Sequence, residues 1–279
     1  MPQTDCLAPA TPDPATARLG LMAAMPEELH ALLDHVQGRQ TVQRAGRHFH
    51  TGTWHGLPVV AVLSGIGKVA AAVTSTVLHS HFGVTELVFT GVAGGVGPDV
   101  AIGDLVLGES FVQHDMDASP LFPRFELPGT GRTVLPADGA LTDSLAAALA
   151  PVQGCPVWQA VQASGLVRPQ GSVLHRGMIL SGDQFVGHES RVAALRADWP
   201  RALAVEMEGA AVAQVCLDLG LPFAVMRAIS DRADSAAHVD FAAFLARVAS
   251  PMAAAWLDAW LRAKAQRAEP PTAFGHDRH

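Results

Sequence analysis

Short apolar blocks alternate with longer apolar runs of helical spacing between residues 18 and 264. The blocks predict strands, and the runs, with apolar residues three or four apart, predict helices. The predicted strands are 20–25, 48–54, 58–64, 86–96, 104–112, 173–182, 202–206 and 222–231. The predicted helices are 26–36, 67–82, 141–150, 191–199, 209–220 and 239–263. This alternation predicts a single three-layer α/β domain, with a central mixed, mainly parallel twisted sheet flanked by helices.

Both ends of the chain lack this pattern. Residues 1–17 are polar and proline-rich, and residues 265–279 lose the apolar period, so we expect flexible tails around a domain at 18–264. The start resembles no signal peptide, and no apolar run is long enough for a membrane span. The chain has three widely spaced cysteines, which suit no disulfide framework. These features predict a cytoplasmic protein.

Composition and charge limit the kinds of molecule that we expect the protein to bind. The chain has 279 residues, 49% of them hydrophobic, and a net charge of −7. It has no basic stripe, which argues against a nucleic-acid partner. His114, Asp115 and Asp117 have the spacing of metal ligands, but no second cluster of such residues supports a site. We therefore expect no metal site.

Acidic residues follow four of six predicted strands. They are Glu27 and Glu28, Asp183, Glu206 and Glu208, and Asp231. Ligands bind beyond the carboxyl ends of the strands in open α/β sheets, so these side chains should share one pocket. Carboxylates can hold ribose hydroxyls, protonate a leaving nitrogen and deprotonate water, which indicates glycosidic-bond chemistry. Structural alternatives remain open, since Glu28 could complement a helix dipole, Asp231 could cap a turn and Met207 could be core.

Seven segments, in a fixed order and spacing, carry the most specific signal. They are AMPEE, SGIGKVAAA, TGVAGG, GDLVLG, ILSGDQF, AVEMEGAAVAQVC and RAISDRAD. Together they resemble the bacterial 5′-methylthioadenosine/S-adenosylhomocysteine nucleosidases of the nucleoside phosphorylase superfamily. The resemblance covers residues 18–262 and is strongest where VEMEG is followed by RAISD about twenty residues later. It implies a nucleoside phosphorylase-like fold, an adenine nucleoside as substrate, hydrolysis and no cofactor.

The resemblance also implies catalytic roles for individual residues. Asp231 would donate a proton to N7 of adenine, with Ser230 orienting it, and burial would keep Asp231 protonated. Glu28 would activate the water that attacks C1′, and Glu208 would hold the ribose hydroxyls. Glu28 must be ionised for this role. We therefore expect it in a wetter place or close to a cation, for which Arg227 is the candidate.

The remaining implied residues bind substrate. Met207 would pack against the sugar, with Glu206 in a supporting role. The backbone of Phe185 and Val186 would recognise adenine, and the base would stack on Phe185. The other positions expected to line the pocket are Ile66, Phe241, Ala93 and Gly94.

The sequence departs from the family pattern in three places, of which Pro26 in AMPEE changes only the first helical position and leaves Glu28 in register. Val92 stands where many members have serine or threonine, so a hydroxyl near the ribose or the water is missing. The segment QHDMDASPLFPRFELPG differs from the better-known form and is one residue shorter. In the family this loop walls the pocket of the neighbouring subunit, which predicts a homodimer with residues 113–128 in that role. Leu121, Phe122 and Pro128 are the candidate contacts, and the preferred 5′ substituent stays open.

Three other functions remain possible from the sequence. A phosphorylase of the same superfamily would need cations for phosphate, yet AMPEE and TGVAGGV contain no arginine. A hydrolase for futalosine or 5′-deoxyadenosine would differ mainly in the 5′ wall or the base edge. A nucleoside-binding protein without activity is the fourth candidate, although Glu28, Glu208 and Asp231 are all present.

Overall fold

A ten-stranded mixed sheet forms the centre of the part of the chain that the structure describes. The computed structural model describes residues 17–168, 170–232 and 241–268. The strands are β1 Leu19–Ala23, β2 Gln37–Arg44, β3 Arg47–Trp54, β4 Leu57–Leu63, β5 Glu86–Gly95, β6 Leu105–Gln113, β7 Leu135–Pro136, β8 Leu174–Ser181, β9 Ala202–Glu206 and β10 Phe223–Asp231. The helices are α1 Pro26–Leu33, α2 Lys68–Phe82, α3 Gly139–Leu149, α4 Pro156–Ala163, α5 Glu189–Asp198, α6 Gly209–Leu219, α7 Phe241–Phe244 and α8 Ser250–Ala268. A π-helical turn, Leu245–Ala249, connects α7 to α8.

The pairing of the strands closes part of the sheet into a ring. Strands β4, β1, β5 and β10 are parallel neighbours. Strand β10 also pairs antiparallel with β6, β6 continues through β8 to β9, and β9 returns antiparallel to β5. The predicted α/β fold with a mixed sheet is confirmed. It is less parallel than predicted, because parallel and antiparallel pairings are equally frequent among the described strands.

Helices cover both faces of the sheet. Leu32 of α1 and Trp256 of α8 belong to the apolar core on one face, which also receives side chains of α3 and α4. Leu78 of α2 and Val212 of α6 belong to the core on the other face. These two cores give the three layers expected when each helix buries one apolar stripe against a sheet. None of the described helices is long and apolar enough to cross a membrane.

A tight hairpin brings the start of β3 to the edge of the sheet where β4 ends. His55 and Gly56 connect the two strands with φ values of 49° and 77°, the left-handed conformations that a two-residue hairpin turn requires. The strands pair antiparallel, with Phe49 opposite Val62. The predicted strand pair is therefore confirmed, and the first residues of β3 lie beside the segment that follows β4.

Some elements differ from the prediction. Strand β2, helix α4 and the short strand β7 were not predicted. Strand β2 is a polar edge strand with almost every side chain exposed, so it lacks the alternation that indicates a half-buried strand. Helix α1 ends at Leu33 rather than 36, and α8 continues to Ala268, past residue 264. The predicted tails at residues 1–16 and 269–279, and the predicted helix start at 239–240, lie outside the described residues.

Candidate active site

A cavity of about 210 Å³ lies at the carboxyl ends of β1, β5, β8, β9 and β10. Its walls are mainly apolar, with a few polar groups, as in most small-molecule sites. The predicted site residues that line it are Ile66, Ala93, Gly94, Phe185, Val186, Glu206, Met207, Glu208, Ser230, Asp231 and Phe241. The other lining residues are Ala24, Met25, Val92, Gln184 and Val205. Glu28 and Arg227 were also predicted to belong to the site, but they lie behind this wall.

Asp231 and Ser230 end strand β10 at the cavity. Ser230 Oγ donates a hydrogen bond of 2.6 Å to Asp231 Oδ2. The Asp231 residue is only 6% exposed, and it pairs with Gly94 of β5 after a break in the strand register. One carboxyl oxygen is therefore held by the adjacent hydroxyl, the contact expected if Ser230 orients Asp231.

Glu208 stands at the start of helix α6 and reaches across the cavity to the start of α2. Its Oε1 accepts a hydrogen bond of 2.8 Å from the backbone N–H of Gly67. Gly67 has a φ of 97°, and a side chain there would also approach Asp183 Oδ1 to 3.0 Å. Burial, and then the charge of Glu206, raises the pKa of Glu208 to about 7. Near neutral pH this carboxyl group is divided between its protonated and ionised forms.

Glu206 is a buried structural anchor as well as part of the cavity wall. Both of its carboxylate oxygens accept the N–H of Gly209 at 2.9 Å, in the first turn of α6, where N–H groups lack helical partners. Oε1 also accepts a hydrogen bond from the hydroxyl of Ser181. Oε2 accepts hydrogen bonds from Arg227, at 2.6 Å from Nη2 and at 3.2 Å from Nε. The carboxylate therefore joins β8, α6 and β10.

Arg227 differs from its predicted position. We expected it beside Glu28, but its guanidinium forms an ion pair with Glu206 and lies 4.1 Å from the ring centroid of Phe89. It reaches Glu206 by crossing Gly91 of β5, where a Cβ would be 2.9 Å from Arg227 Nη1. The residue is 1% exposed and does not line the cavity. The charge of Arg227 acts on Glu28 only through space and lowers the pKa of Glu28, an effect smaller than that of burial, which raises it.

Glu28 is more deeply buried from solvent than the sequence predicts. It is 1% exposed, because its position in the first turn of α1 places the side chain between that helix and the sheet. Its Oε2 accepts the backbone N–H groups of Met25 at 3.0 Å and Ala24 at 3.2 Å, the second half of a capping box. Burial raises its pKa to about 7. Its Oε1 is buried without a hydrogen-bond partner among the described residues.

A charged cluster next to the cavity-lining segment that begins at Gln184 was missed by the sequence prediction. Lys68 Nζ contacts Asp115 Oδ1 at 2.7 Å and Gln113 Oε1 at 3.1 Å. The backbone N–H of Lys68 donates to Asp183 Oδ1 at 2.7 Å, and the N–H of Asp183 donates to Asp115 Oδ2 at 2.9 Å. The cluster joins the start of α2 to the segments after β6 and β8. Asp115 is thus an ion-pair partner, and the described residues contain no group that could hold a metal ion.

Comparison with known proteins identifies the family. The family model described as the phosphorylase superfamily matches residues 18–262, nearly the whole described chain. The chain belongs to the phosphorylase superfamily. Its sheet with flanking helices is the fold of that superfamily, and the resemblance inferred from the seven segments is confirmed.

Solved structures of phosphorylase-superfamily enzymes are similar to this one over most of its length. The 5′-methylthioadenosine/S-adenosylhomocysteine nucleosidase from Neisseria meningitidis, in complex with methylthio-immucillin-A, is 30% identical; the match covers 88% of this chain and 99% of that one, with a TM-score of 0.78. The nucleosidase from S. pneumoniae, with a transition-state inhibitor, is 33% identical over 88% and 99% of the two chains, with a TM-score of 0.76. The futalosine hydrolase of Helicobacter pylori is 32% identical over 88% and 98%, with a TM-score of 0.74.

The cavity of this superfamily member combines carboxyl groups with an apolar wall. Among the described residues that line it, none is arginine or lysine. Arg227 lies just behind the wall, and its charge is already paired with the carboxylate of Glu206. The described residues of the cavity wall can therefore exchange protons and accept hydroxyl donors, but they offer no cationic side chain to a phosphate.

Proposed function

We propose that the protein hydrolyses the N-glycosidic bond of 5′-methylthioadenosine and S-adenosylhomocysteine, releasing adenine and the 5-thioribose product. The observation that carries this proposal is the placement of Asp231 and Glu208 in one apolar cavity, with Glu28 directly behind its wall. The cavity wall has no cationic side chain among its described residues, which favours water over phosphate as the nucleophile.

The three carboxyl groups have complementary roles in this proposal. Asp231 gives a proton to N7 of adenine, the C1′–N9 bond breaks, and its electron pair leaves with the base. Glu208 accepts hydrogen bonds from the ribose hydroxyls. Water attacks C1′ and passes a proton to Glu28, whose Oε1 is its buried and unpartnered oxygen among the described contacts. Acid–base steps of this kind each contribute about 10²–10⁴ to a rate.

The apolar wall supports the assignment of an adenine nucleoside with an uncharged group next to the ribose. Phe185 is 57% exposed and offers a face on which the base can stack. Val186 follows it in the wall, where its backbone can reach the edge of the base. Met207, Ile66 and Phe241 supply apolar surface for the sugar and its 5′ thioether. Val92 lines the cavity without a hydroxyl, so no step is assigned to it.

A homodimer in the cytoplasm forms part of the proposal, with residues 113–128 of one subunit completing the pocket of the other. Leu121 is 84% exposed and Phe122 36% exposed in the single chain, and Pro128 is exposed as well. Ile66, at the edge of the cavity, is 61% exposed. Exposed apolar side chains are typical of surfaces that a partner covers.

A related nucleoside hydrolase is the second candidate. The futalosine hydrolase of Helicobacter pylori is 32% identical to this chain, within the same range as the nucleosidases. That enzyme is named for a different nucleoside from the nucleosidases, so sequence identity at this level leaves the 5′ substituent open.

One assay separates these functions. The purified protein is incubated with 5′-methylthioadenosine, S-adenosylhomocysteine, 5′-deoxyadenosine, adenosine, inosine and futalosine, with and without phosphate, and the released base and sugar are quantified. We expect adenine from the first two substrates at a rate independent of phosphate. Release that requires phosphate and yields a sugar 1-phosphate would instead identify a phosphorylase and remove Glu28 from its role.

A further inference from the structure

The proposed general acid lies just beyond the point where strand β10 loses its regular pairing. Ile229 pairs with Ala93 of β5, and Asp231 pairs with the next residue of β5, Gly94, so that Ser230 is an extra residue in β10. A bulge of this kind changes the direction of the side chains beside it. The position of the Asp231 carboxyl group therefore depends on how firmly Ile229, the last residue before the bulge, is held.

A turn before strand β6 holds Ile229 on the side away from β5. The backbone N–H of Ile229 donates to the carbonyl of Asp104 at 2.8 Å, and the N–H of Gly103 donates to the carbonyl of Ile229 at 2.8 Å. These two hydrogen bonds extend the antiparallel pairing of β10 with β6 beyond Ala228, which lies opposite Leu105. Ile229 is thus held on both sides, by β5 and by this turn.

The carboxylate of Asp104 holds the turn in place through four hydrogen bonds. The residue is fully buried, and each of its two carboxylate oxygens accepts two donors. Oδ1 accepts hydrogen bonds from Arg168 Nη2 at 2.6 Å and from the N–H of Val173 at 3.0 Å. Oδ2 accepts hydrogen bonds from the N–H of Ala101 at 3.0 Å and from His175 Nε2 at 2.9 Å. The carboxylate therefore joins the turn to the start of β8 with strong, charge-assisted bonds.

We propose that Asp104 is a positioning residue for the general acid, although it does not line the cavity. Its carboxylate fixes the turn, the turn fixes Ile229, and Ile229 determines where the pair of Ser230 and Asp231 enters the cavity. The inference rests on the proposed function, because it concerns the step in which Asp231 protonates N7 of adenine. A displacement of about 1 Å can lower a rate about hundredfold, so a residue that never touches the substrate can act on turnover.

The test compares two substrates that have the same sugar but differ in their need for a general acid. In both, water attacks C1′ and the electron pair of the broken bond leaves with the departing group. Adenine leaves 5′-methylthioadenosine with a proton on N7. An acidic phenol needs no such proton, so p-nitrophenol leaves the p-nitrophenyl glycoside of 5-methylthioribose as its anion.

Both substrates are measured with the wild type, Asp104→Asn, Asp231→Asn and the control Asp143→Asn, which changes an exposed, ion-paired aspartate of α3. Asparagine keeps the shape of Asp104 but replaces one acceptor oxygen with an NH₂ group that would face N–H donors. Asp104→Asn should therefore lower kcat for 5′-methylthioadenosine at least about tenfold and leave KM nearly unchanged. With the p-nitrophenyl glycoside, its kcat should stay within about twofold of the wild type, because no proton is transferred to the leaving group.

Asp231→Asn should show the same selective loss more strongly, and the control should match the wild type on both substrates. His175→Leu keeps the test decisive if Asp104→Asn folds poorly, since it removes one of the four donors and leaves the carboxylate; it should show a smaller loss of the same kind. An equal loss of kcat with both substrates in both variants would indicate a merely structural role and overturn the inference, as would unchanged adenine release in both. Failure of the wild type to release adenine from 5′-methylthioadenosine would instead overturn the proposed function itself.

Discussion

Replacing Glu28 with glutamine should stabilise the protein above neutral pH and abolish hydrolysis. Burial raises the pKa of Glu28 from its usual 4.5 to about 7, and the residue is 1% exposed, so solvent screening is small. The unfolded chain releases this proton near pH 4.5, whereas the folded chain keeps it until about pH 7. The free energy of unfolding therefore includes the full contribution of Glu28 below pH 4.5 and loses it as the pH rises through 7. At about 1.4 kcal/mol per pH unit, the loss amounts to about 3 kcal/mol.

Glutamine has the same shape but no charge to desolvate. Its carbonyl can still accept the N–H groups of Ala24 and Met25, so the capping contact at the start of α1 is kept. The free energy of unfolding of the variant should therefore fall less between pH 5 and pH 8 than that of the wild type. The part due to Glu208, whose pKa is also raised to about 7, should remain.

Urea unfolding at pH 5 and pH 8 measures this difference for the wild type, Glu28→Gln and the matched control Glu189→Gln, an exposed first-turn glutamate of α5. The control should follow the wild type. Activity gives a second readout, because kcat/KM of the wild type should rise through about pH 7 as Glu28 ionises, whereas the variant should be inactive throughout. A variant with the same pH dependence of stability as the wild type would refute the desolvation argument, and equally fast turnover would place the base elsewhere.

Three further substitutions test other parts of the site. Asp231→Asn should lower adenine release at least about hundredfold with an unchanged circular dichroism spectrum; retention of a tenth of the activity would exclude Asp231 as the general acid. Glu206→Gln should lower the free energy of unfolding by about 3 kcal/mol, because it leaves Arg227 buried without its charge partner; a loss under about 1 kcal/mol in urea titrations contradicts this. Lys68→Met should raise KM about tenfold with little change in kcat, because it removes the ion pair that holds Asp115, and Asp115 in turn holds the N–H of Asp183 just before the proposed base-binding residues. A fall in kcat alone would contradict this prediction.

The positions of the site residues could be predicted because they depend on local signals. Apolar blocks marked the strands, and a general property of α/β sheets placed the residues that follow those strands at one edge. Ser230, Asp231 and Glu208 therefore line the cavity as predicted. Strand β2 gave no such signal, since its polar side chains are exposed on both faces.

The contacts between these residues could not be predicted, because they depend on which strands become neighbours. Arg227 meets Glu206 rather than Glu28 because β9 and β10 both pair with β5, and Gly91 leaves room for the guanidinium to cross that strand. The Lys68 cluster likewise joins residues far apart in the chain. The burial of Glu28 depends on how closely α1 packs on the sheet, which cannot be predicted from the sequence pattern.

The closed ring of strands has a consequence for the synthesis of the protein. Strand β10 is the last of the described strands to leave the ribosome, yet it lies between β5 and β6, which were made more than a hundred residues earlier. Until β10 arrives, the facing edges of those two strands have no partner, the state in which nascent chains are most prone to aggregate. The strand that closes the ring also carries Asp231 at its end, so the completion of the fold and the arrival of the proton donor coincide in one segment.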